Sequence, residues 1–213
     1  MSLKYISAAL MVLAASAAQP LPELRVEPTA GGSIFYIKNG SAQPLTAYLI
    51  ELVDYPGSYY SLWQDDVSAP VAPGAEKRIQ VANMTVGAVP DYVKLQAALY
   101  ADGTSSGIPE KVTQLVERRR FILETTREMI RRLEKAQSAG AAKASVIADL
   151  RQWAASMQPQ GRPSRNSQAA INQAAGRPLI ADAAALLDGH PVEEVLAGLR
   201  AAEQALASSK PAL

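Results

Sequence analysis

Cysteine is absent from the chain, which excludes lipoprotein anchoring, structural disulfides, thiolate metal sites, a cysteine nucleophile and covalent haem attachment. Histidine occurs once, at His190, so a serine triad or a histidine-rich metal centre would have to be assembled around that one side chain. It stands in Asp188-Gly189-His190-Pro191, ahead of Glu193 and Glu194. That setting reads as a connector leading into a helix whose positive first turn holds the two acids. Net charge is also missing: 21 basic side chains oppose 20 acidic ones, and without Lys4 the remainder is formally neutral. Global charge therefore predicts no nucleic-acid partner. There is no glycine-rich phosphate loop, dinucleotide fingerprint or EF-hand spacing, so no cofactor is expected.

The one long apolar run lies at the start. A short polar opening with Lys4 leads into Tyr5 to Ala18, interrupted only by Ser7 and Ser16 and followed by Gln19, Pro20 and Pro22. This layout reads as a signal peptide over residues 1–18, cut before Gln19. The run is shorter than the about 20 apolar residues that a spanning helix needs, and no later segment is long enough. The reading implies a periplasmic or extracellular protein with no transmembrane helix after cleavage, and export without cysteine suggests a bacterial envelope.

Composition changes near residue 108. Residues 19–108 carry 5 basic and 9 acidic side chains, whereas 109–213 carry 15 and 11. Of the aromatics beyond residue 18, only Phe121 and Trp153 lie in the second part. In the first part, short apolar runs are broken by turn residues, the spacing of an antiparallel β-sandwich. About six strands are expected: Leu24 to Val26, Ser33 to Lys38, Leu45 to Val53, Tyr59 to Trp63, Lys77 to Val81 and Val93 to Ala101. Gly31-Gly32, Asn39-Gly40, Tyr55-Pro56-Gly57, Pro73-Gly74 and Asp102-Gly103 supply turns between them. In the third strand, Leu45, Ala47, Leu49 and Glu51 alternate with Thr46, Tyr48, Ile50 and Leu52. Both sets are largely apolar, which predicts a central strand covered on both faces.

Phe35-Tyr36-Ile37-Lys38-Asn39-Gly40-Ser41, then Pro44-Leu45-Thr46-Ala47-Tyr48, then Ala72-Pro73-Gly74-Ala75-Glu76-Lys77 resemble the strand-turn-strand phrasing of bacterial immunoglobulin-like modules. The stretch from Ala97 to Gly107, running into a charged helix, resembles uncharacterised exported proteins of soil bacteria. The resemblance covers about half the chain and implies a fold type and a compartment, but no activity. Such a helix would carry Asp or Ser before Pro109. Here that position is Ile108, which has no side-chain oxygen to cap a helix.

Beyond Pro109 the period becomes helical. Val112, Leu115, Val116, Ile122, Met129 and Leu133 form one stripe, interrupted by Arg119 and Thr126. A helix of about 28 residues would be roughly 42 Å long, longer than the expected sandwich is wide, so part of it should stand in water or bind something. Val146, Ile147, Leu150, Trp153 and Met157 make a second stripe. The polar stretch 158–168 reads as a flexible linker. Three shorter helices are expected over Ser167 to Ala175, Leu179 to Leu187 and Val192 to Ala207. The recurring Gly161-Arg162-Pro163 and Gly176-Arg177-Pro178 read as helix terminators.

Candidate sites are few. Tyr55, Tyr59, Tyr60 and Trp63 form an aromatic segment able to stack on a glycan or anchor a protein partner, set against a plain role in a β core. Arg118, Arg119 and Arg120 offer an anion or interdomain contact, with Arg127, Arg131 and Arg132 extending the charge. The acidic first part supplies partners for them within the chain. Asp54, Asp65 and Asp66 are the carboxylates on which a hydrolase reading would rest. The sequence thus predicts an α+β protein: signal peptide 1–18, an immunoglobulin-like β-sandwich over 19–108, and a helical region over 109–213. A noncatalytic binding or structural role in the envelope is expected, with an envelope hydrolase or a helix-mediated self-assembling protein as alternatives.

Overall fold

The computed structural model describes residues 19–53, 60–82, 92–157 and 167–212. The expected signal segment 1–18, Asp54, Tyr55, Tyr59, the expected Tyr55-Pro56-Gly57 turn and residues 158–166 of the expected linker lie outside these. The described part is α+β: seven strands in two antiparallel sheets, then four helices. One sheet has the order β1-β2-β5, formed by Glu23–Thr29, Gly32–Lys38 and Glu76–Ala82. The other has the order β4-β3-β6-β7, formed by Ser61–Asp65, Leu45–Leu52, Val93–Tyr100 and Ser105–Gly107. Beyond the six expected strands, β7 pairs with β6 at one edge of the second sheet, although its sequence Ser-Ser-Gly carries no apolar signal.

Period-two alternation builds the layers. Phe35 and Ile37 of β2 and Val81 of β5 meet Tyr48, Ile50, Leu52, Ala98 and Tyr100 of β3 and β6 in one buried core between the sheets. The opposite face of β3 and β6 is apolar too: Ala47, Leu49, Ala97 and Leu99 are all buried and pack with Leu115 of the first helix. The third strand is indeed covered on both faces, and all eight of its residues are buried.

The expected alternation slips at one end. Leu45 pairs with Tyr100 and Ala47 with Leu99, so Thr46 is the extra residue of a bulge. A bulge re-aims side chains: Leu45 joins the core between the sheets while Ala47 faces the helix. A second irregularity puts Gln96 out of register in β6.

The first helix, α1, spans Pro109–Ser138. As its sequence implies, Ile108 gives it no side-chain cap, and Pro stands in its first turn. Gly107 delivers the chain to it at φ 105° with Ile108 N–H donating to the Gln96 carbonyl at 2.9 Å. A Cβ at Gly107 would lie 2.2 Å from that carbonyl oxygen. The N-terminal half of α1 packs on the β3-β6 face through Val112, Leu115 and Val116. Its C-terminal half contributes Met129, Ile130 and Leu133 to a second core, shared with α2 (Lys143–Ser156), α3 (Gln168–Gly189) and α4 (Val192–Ala207). The helix is longer than one layer and is spent on both.

Two helices expected in the region after the linker are one. α3 runs through Gly176-Arg177-Pro178, and Ser167 caps it by accepting from Ala170 N–H. Proline inside a helix orphans the carbonyl four residues back. Here both Ala174 and Pro178 are exposed, so water can satisfy that group. Gly176 is held for a different reason: a Cβ there would meet the Phe121 ring at 2.8 Å and Met157 sulfur at 3.0 Å. The glycine serves close helix packing rather than termination.

Cross-helix ion pairs run over the outer faces, among them Arg127 to Glu203, Arg200 to Glu134 and Arg151 to Asp188. Arg132 binds Glu128 in an i to i+4 arrangement at 2.6 Å and lies 4.4 Å over the Trp153 ring. Among the described residues no helix is long and apolar enough to cross a membrane.

Candidate functional site

Of the two residues that interrupt the apolar stripe of α1, Arg119 joins the helix to the sheet. Arg119 is fully buried. Its guanidinium holds Asp65 with both edges, Nε to Oδ2 at 2.9 Å and Nη2 to Oδ1 at 3.1 Å. Nη2 also donates to Thr46 Oγ1 at 3.1 Å, and Nη1 donates to the Lys210 carbonyl at 2.9 Å. Thr46 Oγ1 in turn donates to the Leu99 carbonyl. One side chain therefore ties α1 to β3, β4 and the C-terminal tail, using four of the five donors that a guanidinium carries.

The local reasons are separable. Strand period sets Ser61, Trp63 and Asp65 on the helix-facing side of β4, while Tyr60 and Leu62 pack toward the core between the sheets. The bulge at Thr46 turns its hydroxyl to the same seam. Helical period places Arg119 between Leu115 and Leu123, both buried on the same side of α1. Buried charge is tolerated because each atom is met: the carboxylate side chain of Asp65 is only 11% exposed and both its oxygens accept from Arg119. Burial pushes the Asp65 carboxyl above its usual range, against the lowering pull of Arg119.

Beside this pair lies a cavity of about 350 Å³ between β4, α1, α3 and α4. Trp63, Asp65, Arg118, Ile122, Asp182 and Leu206 contribute to its wall. Arg118 is partly buried and makes no hydrogen bond or ion pair among the described residues. Burial lowers its pKa, opposed by the charge of Asp65. Yet Asp65 is already engaged on both oxygens by Arg119, so Arg118 keeps an unspent cationic fork at the cavity.

Comparison with protein-family models, with curated proteins and with solved structures finds no match for this chain. What the site can do must be read from its own chemistry.

The sequence-derived candidates are distributed as follows. Arg119 contacts β3, β4 and the C-terminal tail. Arg118 faces the cavity, and Arg120 makes a surface pair with Glu117 at 2.5 Å. Tyr60 packs in the core between the sheets, edge-on to Phe35 at 6.2 Å between ring centres. Trp63 packs on the opposite side, under α1, with its indole N–H donating to Ser61. These two aromatics thus belong to different layers, and Tyr55 and Tyr59 lie outside the described residues.

Asp66 accepts from Lys77 at 2.5 Å and from Gln64 at 2.7 Å. His190 caps the end of α3 and bonds Glu194 at 3.1 Å, both on the surface. Among the described residues no group of three His, Asp or Glu side chains is placed to hold a metal ion.

Three roomier hollows lack this combination; one, of about 370 Å³ between α3 and α4, holds no basic side chain but His190, which is paired with Glu194. A second of about 600 Å³ is lined largely by alanine, glycine and serine along α4 and the tail. The third, about 730 Å³ at the α1–α2 elbow, contains Arg131 and Arg132, which are paired with Glu128 and Asp149. Sequence reasoning reached Arg118 and Trp63 but missed Asp182, which had no local pattern to mark it.

Proposed function

We propose that the chain is an exported, noncatalytic binding protein of the bacterial envelope, with an immunoglobulin-like two-sheet module locked to a helical layer and a ligand cleft at the seam. The observation that carries this reading is a contrast in how charges are used. Of the acids and the histidine singled out in the sequence, those among the described residues are committed: Asp65 to Arg119, Asp66 to Lys77 and His190 to Glu194. The cation at the cavity, Arg118, is not. A partly desolvated charge without a partner is costly, and a ligand anion would relieve that cost.

The strand order supports the immunoglobulin-like part of the reading. Sheets β1-β2-β5 and β4-β3-β6-β7 place the third and sixth strands together at the centre of one sheet, as strands C and F pair in immunoglobulin-type sandwiches. Export rests on the apolar segment before Gln19. A hydrolase would draw on Asp65 and Asp182 at the cavity wall, but a carboxylate that accepts two charge-assisted bonds from Arg119 is poorly placed to act as a base or nucleophile.

The test is to produce the whole chain in a bacterium, fractionate the cells and weigh the protein by mass spectrometry. The reading expects a periplasmic or secreted product lacking about the first 18 residues, by the layout of the leader. A cytoplasmic product that retains them contradicts it.

A further inference from the structure

We infer that the seam cavity binds a small monocarboxylate with an apolar or aromatic body, held by Arg118. The inference rests on the binding-protein reading and names the chemistry of its ligand.

The argument begins with charge at the cavity. Arg118 and Arg119 are neighbours on α1, and Asp65 faces both. Arg119 takes both oxygens of Asp65, so the trio carries one uncompensated positive charge, on Arg118. A guanidinium is a planar fork matched to a carboxylate. Burial at Arg118 strengthens such a pair relative to one in open water. Asp182, which also lines the cavity, repels an anion in proportion to its charge, so a monoanion paired with Arg118 is favoured over a dianion such as a phosphate monoester.

The remainder of the wall is mostly apolar, with Gln64, Ser68 and Thr126 as its polar members. Trp63, Ile122, Leu179 and Leu206 line it, and the volume of about 350 Å³ lies at the small end of the range typical of small-molecule sites, about 300–1,000 Å³. The site is also pre-organised. The Arg119 clasp fixes β4 and α1, which carry Trp63 and Arg118, so little ordering is left to be done when a ligand enters.

The experiment is calorimetric titration of the purified chain with 4-phenylbutyrate, its uncharged amide and phenyl phosphate, repeated on Arg118→Met and Asp182→Asn variants. The expected result is binding of the carboxylate, with the amide and the Arg118→Met variant each weaker by about tenfold or more, the worth of one charge-assisted bond. Phenyl phosphate should bind less tightly than the carboxylate to the parent chain and gain relative to it on Asp182→Asn. Equal binding of carboxylate and amide overturns the inference, as does carboxylate binding unchanged by Arg118→Met. Absence of carboxylate binding up to millimolar concentration also overturns it. The carboxylate-to-amide comparison needs no variant, so it decides the matter even if Arg118→Met does not fold. Failure here combined with export and cleavage would leave the envelope reading in place without this ligand.

Discussion

Replacing Arg119 by methionine isolates the buried ion pair that joins α1 to β4. Methionine matches much of the arginine stem but removes four hydrogen bonds: two to Asp65, one to Thr46 and one to the Lys210 carbonyl. The Asp65 carboxylate would remain largely enclosed with no opposing charge. Breaking one side of a buried pair costs about 3–5 kcal/mol, a large share of the about 5–15 kcal/mol that separates folded from unfolded domains. For a chain of this size the melting temperature should fall by roughly 6–20 °C, at about 2–4 °C per kcal/mol. Replacing both partners, Arg119→Met with Asp65→Leu, should recover much of that loss, because a buried ion pair exchanged for apolar groups of similar volume is often neutral. Urea unfolding of the parent, both single variants and the double variant gives the cycle directly. A cost below about 1 kcal/mol for Arg119→Met, the worth of a surface pair, would refute the reasoning. A double variant as unstable as the two singles added together would refute it too.

Other outcomes follow from the same structure. Tyr48 is fully buried and its hydroxyl has no hydrogen-bond partner among the described residues, so Tyr48→Phe should be neutral or stabilising by about 1 kcal/mol; clear destabilisation in urea melts would contradict this. Gly107→Ala should cost roughly 2 kcal/mol or more, because φ is 105° and a Cβ would sit 2.2 Å from the Gln96 carbonyl oxygen. Thermal melts of Gly107→Ala beside Gly198→Ala, where a Cβ meets nothing within 4 Å, make the comparison. Asp65 has a raised pKa in the folded state, so between its unfolded and folded values the folded chain holds more protons. Its contribution to stability is therefore greatest below the unfolded value and falls as pH rises through the folded one. The stability of the parent relative to Asp65→Asn should decline from pH 4 to pH 7 in urea titrations; a rise would mean that the Arg119 attraction outweighs burial.

Much of this architecture is legible in the chain because periodicity reports burial. The third strand showed apolar residues on both alternating sets, and it is covered by a sheet core on one side and by α1 on the other. What escaped was decided by tertiary contacts. β7 has no apolar residue to announce it and exists through pairing with β6. Gly176 and Pro178 carry the local signature of a helix end, yet α3 continues because the glycine fits against Phe121 and the proline stands in solvent. The bulge at Thr46 shifted one residue of the alternation, since a bulge is set by the partner strand rather than by composition. Arg119 was visible as a charge in an apolar stripe. Its partner Asp65, 54 residues away, was visible only as one of several acids. The cavity draws on four elements, and no segment of sequence carries its outline.

The central claim is that Arg118, set free by the Arg119–Asp65 pair, is the anchor of a binding site. The most direct measurement follows the arginine Nε–Hε signals of the isotope-labelled chain by NMR during titration with 4-phenylbutyrate. The account expects the Arg118 signal to shift and saturate while the Arg119 signal, locked on Asp65, moves little. A saturable shift confined to other arginines, or an Arg118 signal indifferent to the carboxylate, would contradict it.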